Sequence, residues 1–343
     1  MTAASGTNER DRRSIAVIGA GSWGTALAVH LARTGHAATL WGRDSAALAE
    51  MATARRNVRY LPDAPFPDSL VVEAEIARAV AGADDLLIAV PSHGFRGVLT
   101  ELRPMLRPVM RVAWATKGFE SETGRLPHQV AAEILGETVP TAVLSGPTFA
   151  REVGAGLPTA MTVASRDEAY ALSLAQGLSG PNFRAYTSAD MVGVEVGGAT
   201  KNVLAIGAGI SDGLGFGANT RVALITRGLA EMMRLGVALG GEKDTFMGLA
   251  GLGDLVLTCT DDQSRNRRLG LMLAAGRTVD SAQAAIGQVV EGVPAARAVR
   301  AVAHSASVEM PITEQLYAVL YEGAPPRDAV AALMRRAIKS EVR

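Results

Sequence analysis

Residues 14–24 read Ser14-Ile-Ala-Val-Ile-Gly19-Ala-Gly21-Ser-Trp-Gly24, and residues 25–33 have the composition of a helix. A short apolar strand, the spacing G-x-G-x-x-G and a helix, in this order, are typical of a dinucleotide-binding turn. Gly19 permits the tight turn, Gly21 lets a pyrophosphate approach the main chain, and Gly24 lets the helix pack on the strand. The N–H groups that start the helix then bind the anion. An ordinary glycine-rich turn is the alternative, and the two correct flanks favour the dinucleotide.

The rest of the chain divides into a part with strands and a part without them. Further strands are predicted at 37–41, 85–90, 111–116, 141–145, 159–164 and 183–187. Beyond residue 188, apolar residues at helical spacing predict helices at 190–211, 219–239, 264–275, 281–287, 292–304, 312–321 and 326–338. We therefore predict an α/β Rossmann-like N-terminal domain with a mostly parallel sheet, followed by an all-α C-terminal domain. The predicted limits are a disordered leader at 1–13, the dinucleotide-binding domain at 14–189 and a helical substrate and catalytic domain at 190–343.

The composition is that of a folded chain without a bulk charge. Among 343 residues, 34 Lys and Arg balance 34 Asp and Glu, so no electrostatic argument for binding nucleic acid or an anionic membrane arises. Cys259 is the single cysteine, which excludes a disulfide within the chain and favours a reducing compartment. The sequence shows neither a signal peptide nor a membrane-spanning stretch. We expect a cytoplasmic protein with a small-molecule substrate and no metal site.

The residues after the second predicted strand bear on the choice of coenzyme. An acid at this position binds the adenosine ribose hydroxyls of NAD, whereas an arginine accepts the 2′-phosphate of NADP. The chain has Gly42-Arg43-Asp44 here. Because Arg43 comes first, we predict that NADP(H) is favoured, and Asp44 leaves NAD(H) open. A solvated loop arginine is the alternative.

Polar residues also follow two later strands. Lys117 comes directly after the strand at 111–116, and the small, kinked loop Gly146-Pro-Thr148-Phe-Ala150 comes after the strand at 141–145. The carboxyl ends of parallel strands face one crevice, where open α/β sheets bind ligands. Lys117 is therefore placed to meet a phosphate or the nicotinamide region, and the loop exposes backbone N–H groups. A surface lysine is the alternative.

Residues 195–212 place one lysine, Lys201, among small and apolar residues. Burial of an ammonium disfavours its charge and lowers its pKa. A lowered pKa lets a lysine act as an acid or base near neutral pH. The alternative is a helix that packs through its glycines, with a lysine that reaches solvent.

Two further features of the second part suit a phosphorylated substrate. Asp254 follows the glycine-rich stretch 248–253, which is not a P-loop because no G-K-[ST] follows. Its carboxylate is predicted to hold Lys201 or a substrate hydroxyl, and a helix cap is the alternative. Ser264-Arg265-Asn266 open a helix, whose positive N-terminal end and added donors predict a phosphate site. A solvated basic helix start is the alternative.

Hydride transfer on a secondary alcohol fits these residues. The cofactor carries the hydride, while the protein supplies orientation and one acid or base. Lys201 takes the hydroxyl proton in the oxidation and returns a proton to the alkoxide in the reduction. Lys117, placed nearby, lowers the pKa of Lys201 by repulsion and stabilises the developing oxyanion.

From residue 15 to the last helix, the sequence resembles the bacterial NAD(P)-dependent glycerol-3-phosphate dehydrogenases. The stretches that carry the resemblance are Ile18-Gly-Ala-Gly-Ser-Trp-Gly-Thr-Ala-Leu27, Trp41-Gly-Arg-Asp44, Ala115-Thr-Lys-Gly-Phe-Glu120, Leu144-Ser-Gly-Pro-Thr-Phe-Ala150, Gly197-Gly-Ala-Thr-Lys-Asn-Val203, Gly248-Leu-Ala-Gly-Leu-Gly-Asp254, Ser264-Arg-Asn266 and Gln288-Val-Val-Glu-Gly292. The first stretch alone is generic, whereas the whole series in this order is specific.

The resemblance implies an enzyme that interconverts sn-glycerol 3-phosphate and dihydroxyacetone phosphate, supplies phospholipid synthesis and forms a homodimer. It implies that Lys201 is the proton acceptor. The positions that match cofactor contacts are Ser22, Trp23, Arg43, Tyr60, Lys117, Ala150, Arg265, Val289 and Glu291. The positions that match substrate contacts are Lys117, Gly146, Thr148, Lys201, Asp254, Ser264, Arg265 and Asn266.

Two other functions are compatible with a Rossmann domain followed by helices. A β-hydroxyacid dehydrogenase also pairs this architecture with a catalytic lysine, but it holds its substrate by a carboxylate, and the helix start at 264–266 favours a phosphate. A dinucleotide-sensing module without turnover needs an output surface, such as a DNA-binding helix pair with a basic face. The sequence contains no such pair.

Overall fold

The computed structural model describes residues 12–337 and residue 340, and the chain divides into two compact units. The first, here called the sheet unit, comprises the chain up to Lys117 together with Arg125–Glu195. The second, here called the helical unit, comprises Gly118–Gly124 together with the chain from Val196 onward.

The limits of these units can be set beside the predicted domains. Residues 1–11 of the predicted leader lie outside the described residues. Arg13, by contrast, is held, because its N–H donates to His36 Nδ1 at 3.2 Å and its carbonyl oxygen accepts from the N–H of Ala37 at 3.1 Å. The boundary at 189/190 stays a prediction.

The strands of the described chain all lie in the sheet unit. They are β1 (Ser14–Ile18), β2 (Ala37–Trp41), β3 (Arg56–Asn57), β4 (Leu61–Pro65), β5 (Val71–Glu73), β6 (Asp85–Ile88), β7 (Arg111–Trp114), β8 (Thr141–Ser145), β9 (Thr159–Ala164) and β10 (Phe183–Ser188). Eight of them form one sheet in the order β10-β9-β8-β7-β6-β1-β2-β5, and β3 pairs with β4 in a separate antiparallel pair. Every neighbouring pair in the large sheet is parallel except β8 with β9. The mostly parallel Rossmann-like sheet is thereby confirmed.

β1 lies where the strand order reverses. The chain builds outward from β1 through β2 and β5 on one side, and from β6 to β10 on the other. Ile18 pairs with Trp41 of β2 and with Ile88 of β6, so the three strands end at one level. Open α/β sheets bind ligands at such a reversal, outside the carboxyl ends of the strands. The glycine motif that follows Ile18 therefore begins at the expected place.

Helices cover the sheet and then form the second half of the chain. The helices up to residue 178 are α1 (Ser22–Arg33), α2 (Ser45–Ala54), α3 (Ile76–Ala81), α4 (Ser92–Leu102), α5 (Pro127–Leu135), α6 (Ala150–Ala155) and α7 (Glu168–Leu178). The later helices are α8 (Met191–Gly213), α9 (Ala218–Ala238), α10 (Asp254–Thr260), α11 (Arg265–Ala274), α12 (Val279–Ile286), α13 (Gly292–Ser305), α14 (Pro311–Tyr321) and α15 (Pro326–Met334). No strand follows Ser188 among the described residues, which confirms the all-α second part. None of the described helices is long and apolar enough to cross a membrane.

Helix α8 is the element around which the helical unit packs. It is buried at every position from Gly193 to Ser211. A helix that is covered on all sides needs small or apolar residues all round. Its glycines allow close neighbours, because a Cβ atom at Gly197 would overlap the carbonyl oxygen of Ala250, and one at Gly209 would overlap that of Arg267.

Candidate active site

The glycine motif after β1 has the geometry that its spacing predicts. Gly19 adopts φ +125°, and its N–H donates to the carbonyl oxygen of Trp41 at 2.8 Å. A Cβ atom at Gly24 would overlap the carbonyl oxygen of Gly19, so only glycine lets α1 start this close to β1. At Gly21, by contrast, a Cβ atom would meet nothing within 4 Å. The motif thus closes the turn at its ends and leaves room for a ligand at its middle.

The first turn of α1 fits a dinucleotide phosphate. Ser22 and Trp23 are the first two residues of the helix, and the N–H groups of a first turn have no partner within the helix. The indole Nε1 of Trp23 is buried and has no hydrogen-bond partner in the part of the chain that the structure describes. Buried donors without a partner are rare in folded proteins.

Asn57 fixes a second segment beside the glycine motif. Its fully buried amide Nδ2 donates to the carbonyl oxygen of Ala20 at 3.0 Å and to Thr25 Oγ1 at 2.8 Å. Its Oδ1 accepts from the N–H of Tyr60 at 3.0 Å. Asn57 therefore holds the half-buried Tyr60 next to the predicted cofactor turn.

The two charged residues after β2 have different surroundings. Asp44 caps helix α2, because its Oδ1 accepts from the N–H of Ala47 at 3.0 Å. Arg43 is exposed. A capping carboxylate has its acceptor turned to the helix. Asp44 is exposed as well, and the cap engages one of its two carboxylate oxygens.

The residues after β7 and β8 meet at the same edge of the sheet. Lys117 is half-buried, and its Nζ lies 3.5 Å from the carbonyl oxygen of Gly146. Thr148 Oγ1 donates to the same oxygen at 3.2 Å. Two features require a glycine at position 146. Its φ of +151° is one that other residues rarely adopt, and a Cβ atom there would press on Met161. Ala150 begins α6 directly after this loop.

The start of α8 carries a buried carboxylate that belongs to the sheet unit. Glu195 Oε1 accepts from Trp114 Nε1 at 2.9 Å and from the N–H of His128 at 3.0 Å, and Oε2 lies 2.6 Å from His128 Nδ1. Burial raises the pKa of Glu195, while the hydrogen bonds from His128 and Trp114 oppose that rise. The first turns of α8 are thereby fixed to the end of β7 and the start of α5.

Lys201 is buried, with 7% of its surface exposed, and it is paired. Its Nζ lies 2.5 Å from Asp254 Oδ1 and donates to Thr258 Oγ1 at 3.1 Å. Asp254 is 1% exposed, and the Thr258 hydroxyl in turn donates to its carbonyl oxygen at 2.6 Å. Asp254 and Thr258 lie one turn apart on α10, so one helix face presents both oxygens to the amine. A buried ammonium needs such a partner, because its desolvation is otherwise uncompensated.

Cys259 follows Thr258 and is fully buried. Burial raises the pKa of its thiol to about 12, although the charge of Lys201 opposes that rise. The thiolate is the reactive form of cysteine. The buried Cys259 thiol therefore fills space beside the lysine.

The start of α11 is fixed to α8 next to Lys201. Ser264 caps α11, with its Oγ accepting from the N–H of Arg267 at 3.2 Å. Asn266 Nδ2 donates to Asn202 Oδ1 at 2.9 Å, and its Oδ1 accepts from the N–H of Gly292 at 2.9 Å. The end of α11 that the sequence marks as a phosphate site thus lies beside the residue that follows Lys201.

Arg265 joins this helix start to the segment before α13. Its Nη1 lies 3.4 Å from Gln288 Oε1. Val289 is exposed, and Glu291 is half-buried in the turn that leads into α13. The residues that resemble cofactor contacts in the second half therefore gather around one helix terminus.

The structure brings the predicted residues together in three groups: the glycine turn with Tyr60, the strand ends with Lys117, and the Lys201 pair with the start of α11. The proximity of Lys117 to Lys201 stays a prediction. Sequence reasoning missed Asn57, Asn202 and Thr258. Only Thr258 had a signal in the sequence, because it lies four residues after Asp254 on a helix.

Comparisons with known proteins agree over nearly the whole chain. The model of the NAD-dependent glycerol-3-phosphate dehydrogenase N-terminus matches residues 14–171, and the model of its C-terminus matches residues 190–331. A glycerol-3-phosphate dehydrogenase (NAD(P)+) of Serratia marcescens is 59% identical over 330 residues, which are 96% of this chain and 97% of that protein. One of Shigella boydii serotype 18 is 58% identical over 335 residues, which are 97% of this chain and 98% of the relative.

A solved structure shows the same fold. The crystal structure of glycerol-3-phosphate dehydrogenase from Coxiella burnetii superimposes with a TM-score of 0.92 at 48% sequence identity. The match covers 95% of this chain and 100% of that one.

Proposed function

The chain belongs to the NAD-dependent glycerol-3-phosphate dehydrogenase family. From this premise we propose which residues bind the cofactor, which bind the substrate and which transfer the proton. It is an NAD(P)-dependent oxidoreductase that interconverts sn-glycerol 3-phosphate and dihydroxyacetone phosphate. This assignment replaces the two alternatives, a β-hydroxyacid dehydrogenase and a sensing module. The observation that carries the proposed mechanism is the buried pair of Lys201 with Asp254 at 2.5 Å.

The nicotinamide dinucleotide accepts or supplies the hydride. The glycine motif holds its pyrophosphate against the first turn of α1, where Gly21 leaves open space. Ser22, Trp23 and Gly24 contribute N–H groups at the positive end of that helix. Tyr60, held by Asn57, closes one side of the site.

Lys201 donates and accepts the proton in this proposal. As the hydride reaches the carbonyl carbon of dihydroxyacetone phosphate, the Lys201 ammonium gives a proton to the developing alkoxide, and in the reverse direction the neutral amine takes it back. Asp254 keeps the ammonium form stable in a buried place, and Thr258 fixes its direction. Reduction needs the charged form, which is the form that the carboxylate favours.

Two groups hold the rest of the substrate. The N–H groups of the first turn of α11, together with Arg265 and the capping residue Ser264, bind the phosphate. Asn266, whose amide is fixed by Asn202 and Gly292, places that turn beside Lys201. Lys117, with the loop of Gly146 and Thr148, stabilises negative charge on the reacting oxygen.

NADP(H) is the favoured coenzyme in this proposal. Arg43 is exposed at the end of β2 and suited to a 2′-phosphate, whereas one carboxylate oxygen of the neighbouring Asp44 caps α2. The enzyme works in the cytoplasm as a homodimer, without nucleic acid or membrane insertion. It runs toward glycerol 3-phosphate, which supplies phospholipid synthesis.

An oxidation assay tests the substrate and the coenzyme together. Purified protein is mixed with dihydroxyacetone phosphate and either NADPH or NADH, and the loss of reduced-nicotinamide absorbance is followed. We expect faster turnover with NADPH. Arg43→Gln is expected to raise the KM for NADPH about tenfold, which corresponds to the loss of one charge-assisted contact, and to change the KM for NADH little.

Arg184→Gln is the matched control, because Arg184 lies on β10 at the opposite end of the sheet from β5 and β2. It is expected to behave as the unaltered protein. Equal rates with both coenzymes would refute the role of Arg43 and keep the reaction. No turnover with either coenzyme, in folded protein, would refute the reaction.

A further inference from the structure

Arg265 and Arg267 both follow Ser264 at the start of α11, and their side chains have different surroundings. Arg265 is half-buried and turns toward Gln288. Arg267 is buried, with 8% of its surface exposed, and both of its terminal nitrogens meet carboxylates. Nη2 lies 2.6 Å from Asp212 Oδ2, and Nη1 pairs with Asp262. Asp212 is largely buried, whereas Asp262 is exposed, so one carboxylate compensates the charge of Arg267 inside the protein and a second does so at the surface. Because its charge is already paired, Arg267 is not assigned as a ligand for the substrate phosphate.

Arg267 is fixed to α8 at both its main chain and its side chain. Its carbonyl oxygen lies against Gly209, where even a methyl group would overlap it, and its guanidinium reaches Asp212. Gly209 and Asp212 lie three residues apart and share one face of α8. A single residue at the start of α11 is therefore held by two points on the same helix face.

Further contacts between α8 and α11 lie on the same face of α8. On α8, positions 202, 206, 209 and 213 contact α11, a spacing of four, three and four residues that keeps to one face. Gly270 has no room for a Cβ atom because the carbonyl oxygen of Ile206 occupies that place. The main chains of the two helices therefore touch, and α11 cannot slide along α8 without breaking these contacts.

We propose that the buried Asp212–Arg267 pair is a positioning device that sets the phosphate-binding first turn of α11 relative to Lys201 on α8. The inference rests on the proposed role of Arg265 and the α11 start in phosphate binding. Asn202 fixes that turn near Lys201, and Asp212 fixes it ten residues after Asn202 on the same helix. The main-chain contacts at Gly209 and Gly270 hold α11 along α8, and the ion pair of Arg267 sets the angle of its first turn, so loss of the pair lets that turn pivot. A pivot moves the phosphate site while leaving the cofactor turn untouched.

The device predicts a specific kinetic defect. Asp212→Asn keeps the shape of the side chain and removes its charge. We expect the KM for dihydroxyacetone phosphate to rise about tenfold, within the range that small misplacements cause, and inhibition by inorganic phosphate to weaken by a similar factor. The turnover number and the Kd for NADPH, measured by fluorescence, are expected to change less than about twofold. Asp212→Glu is expected to restore most of the affinity, because it returns a carboxylate.

Arg221 supplies a matched control. Its Nη1 meets the same Asp212 Oδ2 at 2.9 Å, but Arg221 lies on α9 and has no part in the α11 start. Arg221→Gln therefore removes an ion pair from Asp212 without freeing α11, and we expect normal phosphate inhibition. If Arg221→Gln and Asp212→Asn show the same KM defect, the effect is general loss of stability and the inference is wrong. It is also wrong if Asp212→Asn lowers turnover while phosphate inhibition stays normal.

A fourth variant separates this inference from the proposed function. Arg265→Gln removes a proposed phosphate ligand directly. A defective Arg265→Gln beside a normal Asp212→Asn would overturn the positioning role alone. A normal Arg265→Gln would overturn the phosphate site itself, and the inference with it. Dihydroxyacetone without phosphate serves as a second substrate, and its slow reduction should be equally slow in the unaltered protein and in Asp212→Asn.

Discussion

Two sets of glycines in this chain have opposite uses. In the turn after β1, Gly21 has no atom within 4 Å of the place where a side chain would begin, so the glycine leaves space for a ligand. In the helical unit, Gly197, Gly209 and Gly270 lie against the main chain of a neighbouring element, so the glycines remove space. In the function proposed above, the sheet unit binds through exposed main chain, whereas the helical unit acts through side chains that close packing holds in place.

This contrast explains why the two halves present their chemistry differently. A strand end offers N–H groups whose position follows from the turn, and few side chains are needed. An amine inside a helical bundle needs a partner for its charge and neighbours that fix its direction. Lys201 has both in Asp254 and Thr258.

The largest effect is expected from removal of the amine. Lys201→Ala should lower the turnover number about 10³-fold, because general acid–base catalysis contributes rate factors of this order. The Kd for NADPH should stay nearly unchanged, since the glycine turn lies in the sheet unit. Steady-state kinetics and fluorescence titration measure the two quantities. Full retained turnover would refute the role of Lys201 in proton transfer.

The Lys201 variant needs two controls. Lys243→Ala removes an exposed lysine of the same unit and should leave turnover unchanged. Lys201→Ala alone leaves the Asp254 carboxylate buried without its cation, which destabilises a protein. The double variant Lys201→Ala with Asp254→Asn removes that charge. Turnover should stay low while the melting temperature recovers.

The next effect tests the glycine contrast through stability. Gly270→Ala should lower the free energy of unfolding by about 3 kcal/mol, because its methyl group would overlap the carbonyl oxygen of Ile206 and force α8 and α11 apart. Gly97, on the exposed surface of α4, has nothing within 4 Å. Gly97→Ala should raise the same free energy by about 0.5–1 kcal/mol, since alanine is the better helix former. Urea denaturation measures both.

Gly21→Ala completes that comparison. Its methyl group meets open space in the protein, so unfolding by urea should change by less than about 0.5 kcal/mol. The Kd for NADPH should rise, because the methyl group occupies the place of the pyrophosphate. A destabilised Gly21→Ala with normal cofactor binding would reverse the meaning we give to the open space.

The sequence predicts the sheet half of the site better than the helical half, for a physical reason. The glycine turn is local, so strand, turn and helix follow from the twenty consecutive residues 14–33. The pair of Lys201 and Asp254 joins positions 53 residues apart, and that of Asn202 and Asn266 joins positions 64 apart. The sequence predicted that Asp254 holds either Lys201 or a substrate hydroxyl, and the structure shows the contact with Lys201. No local pattern decides between these two partners, because the contact depends on how two distant helices pack.

The elements that the sequence missed are short or lie at edges. β5 has three residues at the edge of the sheet, and β4 (Leu61–Pro65) contains two prolines and belongs to a separate pair. Neither has the apolar run that marks a buried strand. α10 has seven residues after a glycine-rich stretch, too few for a helical period to show. The predicted helix at 326–338 ends at Met334.

The last prediction concerns a second buried carboxylate of the helical unit, Glu231, which unlike Asp254 has no ion pair among the residues that the structure describes. Glu231 on α9 accepts from the N–H groups of Ile312 and Thr313 at 2.7 and 3.2 Å and so caps α14. Burial raises the pKa of Glu231 from 4.5 to about 7, against the opposing effect of these hydrogen bonds and of Arg234. The folded protein therefore keeps a proton that the unfolded chain releases.

Linkage gives the sign of the resulting pH dependence. A carboxyl group whose pKa is higher in the folded state stabilises the fold below pH 4.5 and loses that contribution as the pH rises toward 7. Between pH 5 and 7 the loss attributable to Glu231 should be about 2 kcal/mol. Glu231→Gln, compared with the unaltered protein by urea denaturation across this range, should flatten the curve by that amount. Glu50→Gln, on the exposed face of α2, should leave the curve unchanged. An equally steep curve for Glu231→Gln would mean that the capping N–H groups replace the missing cation, and that a buried carboxylate in this unit needs no paired charge.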